Sequence, residues 1–166
     1  MDEVLISQIC KYLTDNINEE ITDDIIADTF HYNKFYLIRK FKEYTGFSIN
    51  EYVNECRVYN STNPLIFTDR TILNIALNNG FNSLEYYSEK FKDVIGVSPL
   101  KFRKIYTGLL EIAEKTNDKN ELNIAKSTLE ELQMYQQYLQ NMGTATAVKE
   151  EKPKVKVLTK PLSKTF

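Results

Sequence analysis

The sequence has few of the residues from which enzyme sites are built. It contains one histidine, His31, together with two cysteines and five glycines in 166 residues. A single histidine leaves no choice of partner for a Ser-His-Asp triad and excludes a histidine-rich metal site, and the glycines form no Gly-rich phosphate loop. We therefore predict that the chain is not an enzyme and binds no cofactor or metal.

Long hydrophobic runs are absent as well. No stretch of about eighteen apolar residues occurs, which excludes a membrane-spanning helix, and the amino-terminal MDEVLISQIC is acidic and soon polar, unlike a secretory signal. Cys10 and Cys56 each lie in an amphipathic helical pattern, which is typical of reduced core cysteines. We predict a cytoplasmic protein with no membrane partner.

The chain also has no surplus of positive charge. The formal net charge is −2, and residues 1–107 contain 12 Lys and Arg against 15 Asp and Glu. A nucleic-acid-binding domain usually carries a basic footprint. If this chain binds DNA, it must use local basic patches, and its non-specific affinity should be weak.

What the sequence does contain is a series of helical patterns with clear ends. Hydrophobic residues make up 42% of the chain, which is ample for a core. Thr22 and Asn33 are each good amino-terminal caps for the helix that follows. In the first part of the chain, the predicted helices cover residues 2–17, 23–30, 34–44 and 48–58.

Residues 71–106 have the sharpest pattern of helix, tight turn and helix. Asn79-Gly80 breaks the first helix where a left-handed residue is easiest to accommodate. Asn82 or Ser83 caps the second helix, and Ser98-Pro99 opens a third with proline at its first position. Two short helices joined by a small Gly-containing turn have the geometry of a helix-turn-helix.

The first half of the chain repeats in the second. Phe41-Lys42-x-x-x-Gly46-x-Ser48 matches Phe91-Lys92-x-x-x-Gly96-x-Ser98 at an offset of 50 residues, whereas Ala27 matches Ala76 at 49. The second copy therefore carries one extra residue in its turn. Internal repetition of this kind predicts two helix-turn-helix units in tandem.

Several short motifs resemble those of the AraC/XylS family of bacterial transcription regulators. The family's I-A, G-F, aromatic-x-x-x-F-K, G-x-S-P and F/Y-R runs are present here as Ile75-Ala76, Gly80-Phe81, Tyr87-x-x-x-Phe91-Lys92, Gly96-x-Ser98-Pro99 and Phe102-Arg103. The resemblance covers about residues 1–106. It implies an all-α fold of two tandem three-helix lobes, about 2–56 and 66–106, joined by a connector.

The same resemblance implies a function and its partners. Such a protein would be a sequence-specific transcription regulator that binds double-stranded promoter or operator DNA and is therefore associated with the nucleoid. Regulators of this kind typically activate by contacting RNA polymerase beside the promoter. The competing hypothesis is a protein-interaction module that derives from this fold and binds DNA weakly or not at all, which the acidic charge balance favours.

The resemblance also assigns DNA-binding positions to the helix over residues 33–44. Arg39 could bind guanine in a bidentate manner, and Phe35 could contact a thymine methyl group. The backbone N–H groups that follow Asn33 could bind phosphate. The full set comprises base-facing Phe35, Ile38 and Arg39, flanking Lys34 and Tyr36, and phosphate-binding Asn33, Lys40 and Lys42.

The corresponding helix of the second unit, over residues 83–93, has a different character. Glu85 and Glu89 stand at base-facing positions together with Leu84, and a glutamate can accept a hydrogen bond from cytosine N4. Two carboxylates beside phosphates are otherwise repulsive. The unit thus either reads a C-containing step or supports the first unit without reading bases. The cations left for phosphates are Lys90, Lys92, Lys101, Arg103 and Lys104, beside the cap Ser83.

Pro64 stands in the connector between the two units. Proline removes a helical hydrogen bond, costs about 3 kcal/mol in a helix interior and pushes the preceding residue toward extended geometry. We therefore predict that the connecting helix is broken or kinked near Asn63.

Residues 107–166 lie outside the resemblance. Residues 107–142 are expected to form a helical extension, in which Glu121–Met142 is one helix with leucines at near-heptad spacing. That helix could mediate a homodimer, or it could dock on its own domain. Residues 143–166 are predicted to be a disordered tail or the beginning of a truncated linker.

Overall fold

A computed structural model describes residues 2–116 and 119–142 of the chain, and these residues fold entirely into helices and short connections. The predicted all-α class is confirmed. No helix in this part of the chain is long and apolar enough to cross a membrane. The eight helices are α1 (Asp2–Asp15), α2 (Asp23–Phe30), α3 (Lys34–Thr45), α4 (Ile49–Phe67), α5 (Ile72–Asn78), α6 (Leu84–Ile95), α7 (Pro99–Thr116) and α8 (Lys119–Asn141).

The helix ends follow the sequence repeat. The Asn33 side chain accepts a hydrogen bond from the Tyr36 N–H at 3.2 Å, and the Ser83 hydroxyl accepts one from the Tyr86 N–H at 3.1 Å. α3 and α6 both end at a glycine in the left-handed region, Gly46 with φ 79° and Gly96 with φ 101°. The two units, α1 to α3 and α5 to α7, are therefore two copies of one local design, as the repeat predicts.

Each unit buries one face of its helices in a core that is continuous with α4. In the first unit the core consists mainly of aliphatic side chains from α1, with Phe41 and Tyr52 packed edge to face at 5.6 Å. In the second unit a run of aromatic rings extends from the α5–α6 turn into α7. Its members are Phe81, Tyr87, Phe91, Phe102 and Tyr106, with successive ring centroids 4.9, 5.7, 5.3 and 4.4 Å apart.

The predicted break of the connector near Asn63 is wrong, whereas the other predicted outcome, a kink at that point, stays a prediction. α4 is one helix from Ile49 to Phe67, with Pro64 inside it. Pro64 lies in the last turn, and because it has no N–H, the carbonyl four residues earlier lacks its usual helical donor. The Pro64 carbonyl still accepts from the N–H of Thr68 at 3.2 Å and from its hydroxyl at 2.6 Å.

Arg103 of α7 binds the backbone carbonyls at this end of α4. Its Nε donates to the Leu65 carbonyl at 2.9 Å, and its Nη2 donates to the Thr68 carbonyl at 3.2 Å. The last carbonyls of a helix have no partner within the helix, and the guanidinium supplies one. The assignment of Arg103 to a DNA phosphate is therefore corrected, since the side chain is used to hold α7 against α4.

α8 folds back onto the same chain and packs on α4, α7 and α1. The Tyr52 hydroxyl donates to the Leu139 carbonyl at 2.6 Å, and the Tyr59 and Tyr135 rings stack with centroids 4.4 Å apart. The carboxyl-terminal part of the predicted leucine stripe faces inward, because Leu132 and Leu139 are buried, whereas Leu122 at its beginning is exposed. The sequence left open whether this helix mediates a homodimer or docks on its own domain, and in the structure it docks on its own domain. Residues 143–166, for which a tail was predicted, lie outside the described residues.

The two cysteines are part of this core. Cys10 and Cys56 are both free and buried, and burial raises the pKa of each thiol to about 12. Both side chains are therefore protonated and unreactive at neutral pH. The prediction that they are reduced core residues is confirmed.

Replacing Leu132 tests whether α8 contributes to the core in solution. Leu132 is 4% exposed, so Leu132→Ala should lower the free energy of unfolding by about 2–5 kcal/mol. Met134 lies on the same helix but is 61% exposed, and Met134→Ala should change the same quantity by less than about 0.5 kcal/mol. Urea unfolding followed by circular dichroism measures both. Equal stability of the two variants would contradict the docked position of α8.

Candidate nucleic-acid interface

α3 is held from one side and open on the other. Leu37 and Phe41 are 1% and 0% exposed and fix the inner face of the helix in the core. On the outer face Phe35 is 72% exposed, and Arg39 is exposed one turn further along. The structure thus brings these two predicted residues together on one accessible stripe, whereas Ile38, the third base-facing position, is only half exposed.

The guanidinium of Arg39 is oriented by an aromatic pair. It lies 5.8 Å from the centroid of the Tyr36 ring, which stacks on Tyr32 with an interplanar angle of 13°. Within the described residues, no carboxylate oxygen lies within 4.0 Å of Arg39. Arg39 is therefore a partly ordered cation whose hydrogen-bond donors are not used in an ion pair.

Tyr36 ties α3 to the beginning of α1. Its hydroxyl donates to the Asp2 carboxylate at 2.6 Å. This hydrogen bond lowers the pKa of Asp2, with a smaller contribution from the nearby charge of Lys40, and it raises the pKa of Tyr36. Tyr36, predicted to flank the site, thus also fixes the position from which α3 projects.

The three predicted cations beside Arg39 already form ion pairs within the protein. Each lysine of α3 lies within ion-pair distance of at least one carboxylate of the chain, and the side chains involved are partly or largely exposed. Such pairs are weak in water, about 0–1 kcal/mol each, so a phosphate could displace them. The pairs are Lys34–Asp24 (3.1 Å), Lys40–Asp2 (3.7 Å), Lys40–Glu43 (3.4 Å) and Lys42–Glu51 (3.3 Å).

α6 presents a similar helix with opposite charge. Tyr87 and Phe91 are fully buried, while Glu85 and Glu89 are exposed on the outer face. The remaining predicted residues are arranged around them. Leu84 and Lys92 are exposed, Ser83 caps the helix, and the Lys90 ammonium lies 5.4 Å from the Tyr86 ring centroid and 3.8 Å from Asp93.

Sequence reasoning overlooked Tyr86. Its hydroxyl accepts a hydrogen bond from the Asn54 amide at 2.9 Å, which ties α6 to α4. Tyr86 is the repeat partner of Tyr36 at the offset of 50, and each tyrosine anchors the first turn of its helix to a neighbouring helix. The repeat therefore contained the signal, because the same residue type recurs at the same position.

Comparisons with known proteins agree on the family. A model of a helix-turn-helix domain family matches residues 26–105. The "Probable transcription factor PqrA" of Proteus vulgaris is 36% identical over 106 residues, which cover 63% of this chain and 87% of that protein. The "HTH-type transcriptional activator AarP" of Providencia stuartii is 30% identical over 104 residues, covering 63% and 77%.

A solved structure is similar as well. It is a transcriptional regulator from Chromobacterium violaceum described as having an AraC-type DNA-binding domain, with 26% identity and a TM-score of 0.55 over 60% of this chain and 88% of that one. The chain belongs to the AraC/XylS family of transcription regulators.

As an AraC/XylS-type protein, the chain is a DNA-binding transcription regulator. The matched residues 26–105 extend from α2 into α7 and so include α3, α4 and α6. The alternative of an interaction module that does not bind DNA is not favoured. α8 lies beyond the matched residues.

Releasing Lys34 from its carboxylate should strengthen the binding of this regulator to any DNA. In Asp24→Asn the ammonium of Lys34 loses the oxygen at 3.1 Å and becomes available to a phosphate. We expect the plot of the logarithm of the association constant against the logarithm of the salt concentration to steepen. The slope should change by up to about 0.9, the contribution of one neutralised phosphate. Fluorescence anisotropy at several salt concentrations measures the slope.

The matched control is Glu130→Gln, which removes a charge of the same sign from an exposed position on α8. Its slope should equal that of the wild type. A steeper slope in both variants would attribute the change to overall charge and would argue against a phosphate near Lys34.

Proposed function

We propose that this regulator reads DNA mainly with α3, which enters the major groove and contacts base edges through Arg39 and Phe35. The observation that supports the proposal is the open outer face of α3. It carries an arginine that makes no ion pair among the described residues, beside a phenylalanine that is 72% exposed. The inner face of the helix is fixed in the core.

The chemistry of these two side chains suits base recognition. A guanidinium can donate two parallel hydrogen bonds to O6 and N7 of guanine, the commonest specific contact in the major groove. An exposed phenylalanine gains by covering the methyl group of thymine, since both surfaces are apolar. Tyr36, fixed by its hydrogen bond to Asp2, limits the directions in which Arg39 can extend.

The lysines of α3 position the helix on the backbone in this proposal. In the complex, Lys34, Lys40 and Lys42 are shared between their carboxylate partners and nearby phosphates, so that each lysine neutralises a phosphate only in part. The N–H groups that follow Asn33 bind another phosphate at the helix amino terminus. Because each lysine already has a carboxylate partner, the net gain per phosphate is small. Non-specific binding is therefore weak, and base contacts account for most of the discrimination.

α6 contributes less to reading in this proposal. Glu85 and Glu89 stand where α3 has Phe35 and Arg39, and two carboxylates near phosphates are repelled. α6 docks on the adjacent stretch of backbone through Lys92 and supports α3. It does not select a base.

The proposal also covers the direction of regulation and the place in the cell. We extend to this chain the activating role that AarP has by name, with RNA polymerase beside the promoter as the partner and the nucleoid in the cytoplasm as the location. No reaction is assigned to the chain. A homodimer through residues 121–142 is not included, because Leu132 and Leu139 of that apolar stripe are already buried within the same chain.

Arg39→Ala is the direct test of reading by α3. Selection of bound sites from random DNA first supplies the preferred sequence. Loss of one bidentate contact costs about 1–3 kcal/mol, so affinity for that sequence should fall about 5- to 150-fold. A new selection with the variant should lose its preference at one guanine. Gel-shift titration measures the affinity.

The control for Arg39→Ala is Lys126→Ala, which removes one positive charge from an exposed position on α8. Its affinity should stay within about threefold of the wild type. An equal fall in both variants, or a guanine preference that survives in Arg39→Ala, would remove α3 from the proposed role.

Glu89→Gln tests the supporting role of α6. If α6 only docks on the backbone, removal of this carboxylate weakens repulsion from phosphates and should raise affinity about two- to fivefold for every sequence. The selected motif should remain unchanged. A lost preference for cytosine at one position would show instead that Glu89 reads a base.

A further inference from the structure

Arg57 lies in the middle of α4, where the two units meet, and it binds the backbone of the first unit. Its Nε donates to the Ile17 carbonyl at 2.8 Å, and its Nη2 donates to the Glu19 carbonyl at 2.8 Å. Both acceptors belong to the loop between α1 and α2. This half-buried guanidinium is thus used inside the protein and is not a candidate for a DNA phosphate.

The turn between α5 and α6 packs against the same guanidinium. Gly80 has φ +86°, and a Cβ at this position would lie 2.7 Å from the Arg57 Nε and 3.0 Å from the Ile17 carbonyl oxygen. Such distances leave no room for a side chain. Gly80 therefore lets the second unit touch Arg57 and the first unit at one point.

One further contact supports this junction of Arg57, Ile17 and Gly80. The Asn54 amide, less than one turn before Arg57 on α4, donates to the Tyr86 hydroxyl at 2.9 Å. The start of α6 is thus tied to the same region of α4 that holds the loop of the first unit. α3 and α6 are each fixed within their own unit, so their mutual orientation depends on α4 and on this junction.

We propose that Arg57 is a positioning residue that, together with Gly80, sets the separation and angle between α3 and α6. The inference deepens the proposed function, since it gives the regulator a fixed distance between two contacts on one face of DNA. Two helices in successive major grooves must be about 34 Å apart, one turn of the duplex. A loose junction would let α6 move away from the stretch of DNA backbone on which it docks while α3 stays bound.

The first experiment measures the junction without DNA. Spin labels are attached at Lys42→Cys on α3 and Lys92→Cys on α6, two exposed positions related by the repeat. The native cysteines are buried and should not react. Pulsed electron resonance then gives the distribution of distances between the labels, which we expect to be narrow in the parent protein and broader or shifted in Arg57→Met.

The second experiment uses hydroxyl-radical footprinting on the unlabelled full chain. The wild type should protect two patches of backbone about 10 base pairs apart. Arg57→Met should still protect the DNA patch that α3 contacts and should no longer protect the patch that α6 contacts. A variant that is only less stable would protect both patches more weakly, and by the same factor.

Lys126→Ala is the control for charge in both experiments and should behave like the wild type. If Arg57→Met does not fold, as judged by circular dichroism, Gly80→Ala replaces it, because the added Cβ must displace Arg57 or the Ile17 backbone. An unchanged distance distribution in a folded variant would overturn the inference. Absence of any wild-type footprint would count against the proposed function alone, since the label distances do not depend on DNA.

Discussion

The packing of both helix-turn-helix units on one continuous helix, α4, is the constraint on which the rest of the structure depends. A three-helix unit of this size buries only a small core and is marginally stable on its own. α4 supplies buried side chains to both units and to α8, among them Tyr52, Tyr59 and Leu65. Each unit is stabilised by a surface that it shares, so neither recognition helix can be considered apart from the other.

The two units show how a repeated scaffold can keep its architecture and change its surface. Tyr36 and Tyr86 each anchor the first turn of their helix to a neighbouring helix through the hydroxyl group, and Phe41 and Phe91 fill the same core position. The two units differ most at their exposed positions. Phe35 and Arg39 of α3 correspond to Glu85 and Glu89 of α6. Anchors are fixed by packing, whereas outer residues change at little cost in stability.

Local signals in the sequence predicted most of the fold, and contacts between distant residues account for what it missed. α2 has the predicted bounds because Thr22 caps it, and α3 begins as predicted after Asn33. The predicted break in α4 was wrong because this end of the helix is held by Arg103, which is 39 residues away from Pro64 and donates to the carbonyls of the last turn. At the site, Arg39 and Phe35 share a face as helical spacing requires, but the pairing of Lys34 with Asp24 depends on how α2 packs beside α3.

The acidic balance of the chain is compatible with selective DNA binding. Ion pairs such as Lys42–Glu51 reduce the gain from phosphates equally at every site on DNA. Arg39 makes no such pair among the described residues, so in the proposed mode of binding it keeps its full donor capacity for one particular base. A regulator must distinguish its site from about 10⁶–10⁹ competing ones. Lower affinity for all sequences therefore leaves the specificity ratio intact and reduces the fraction of protein held at the wrong sites.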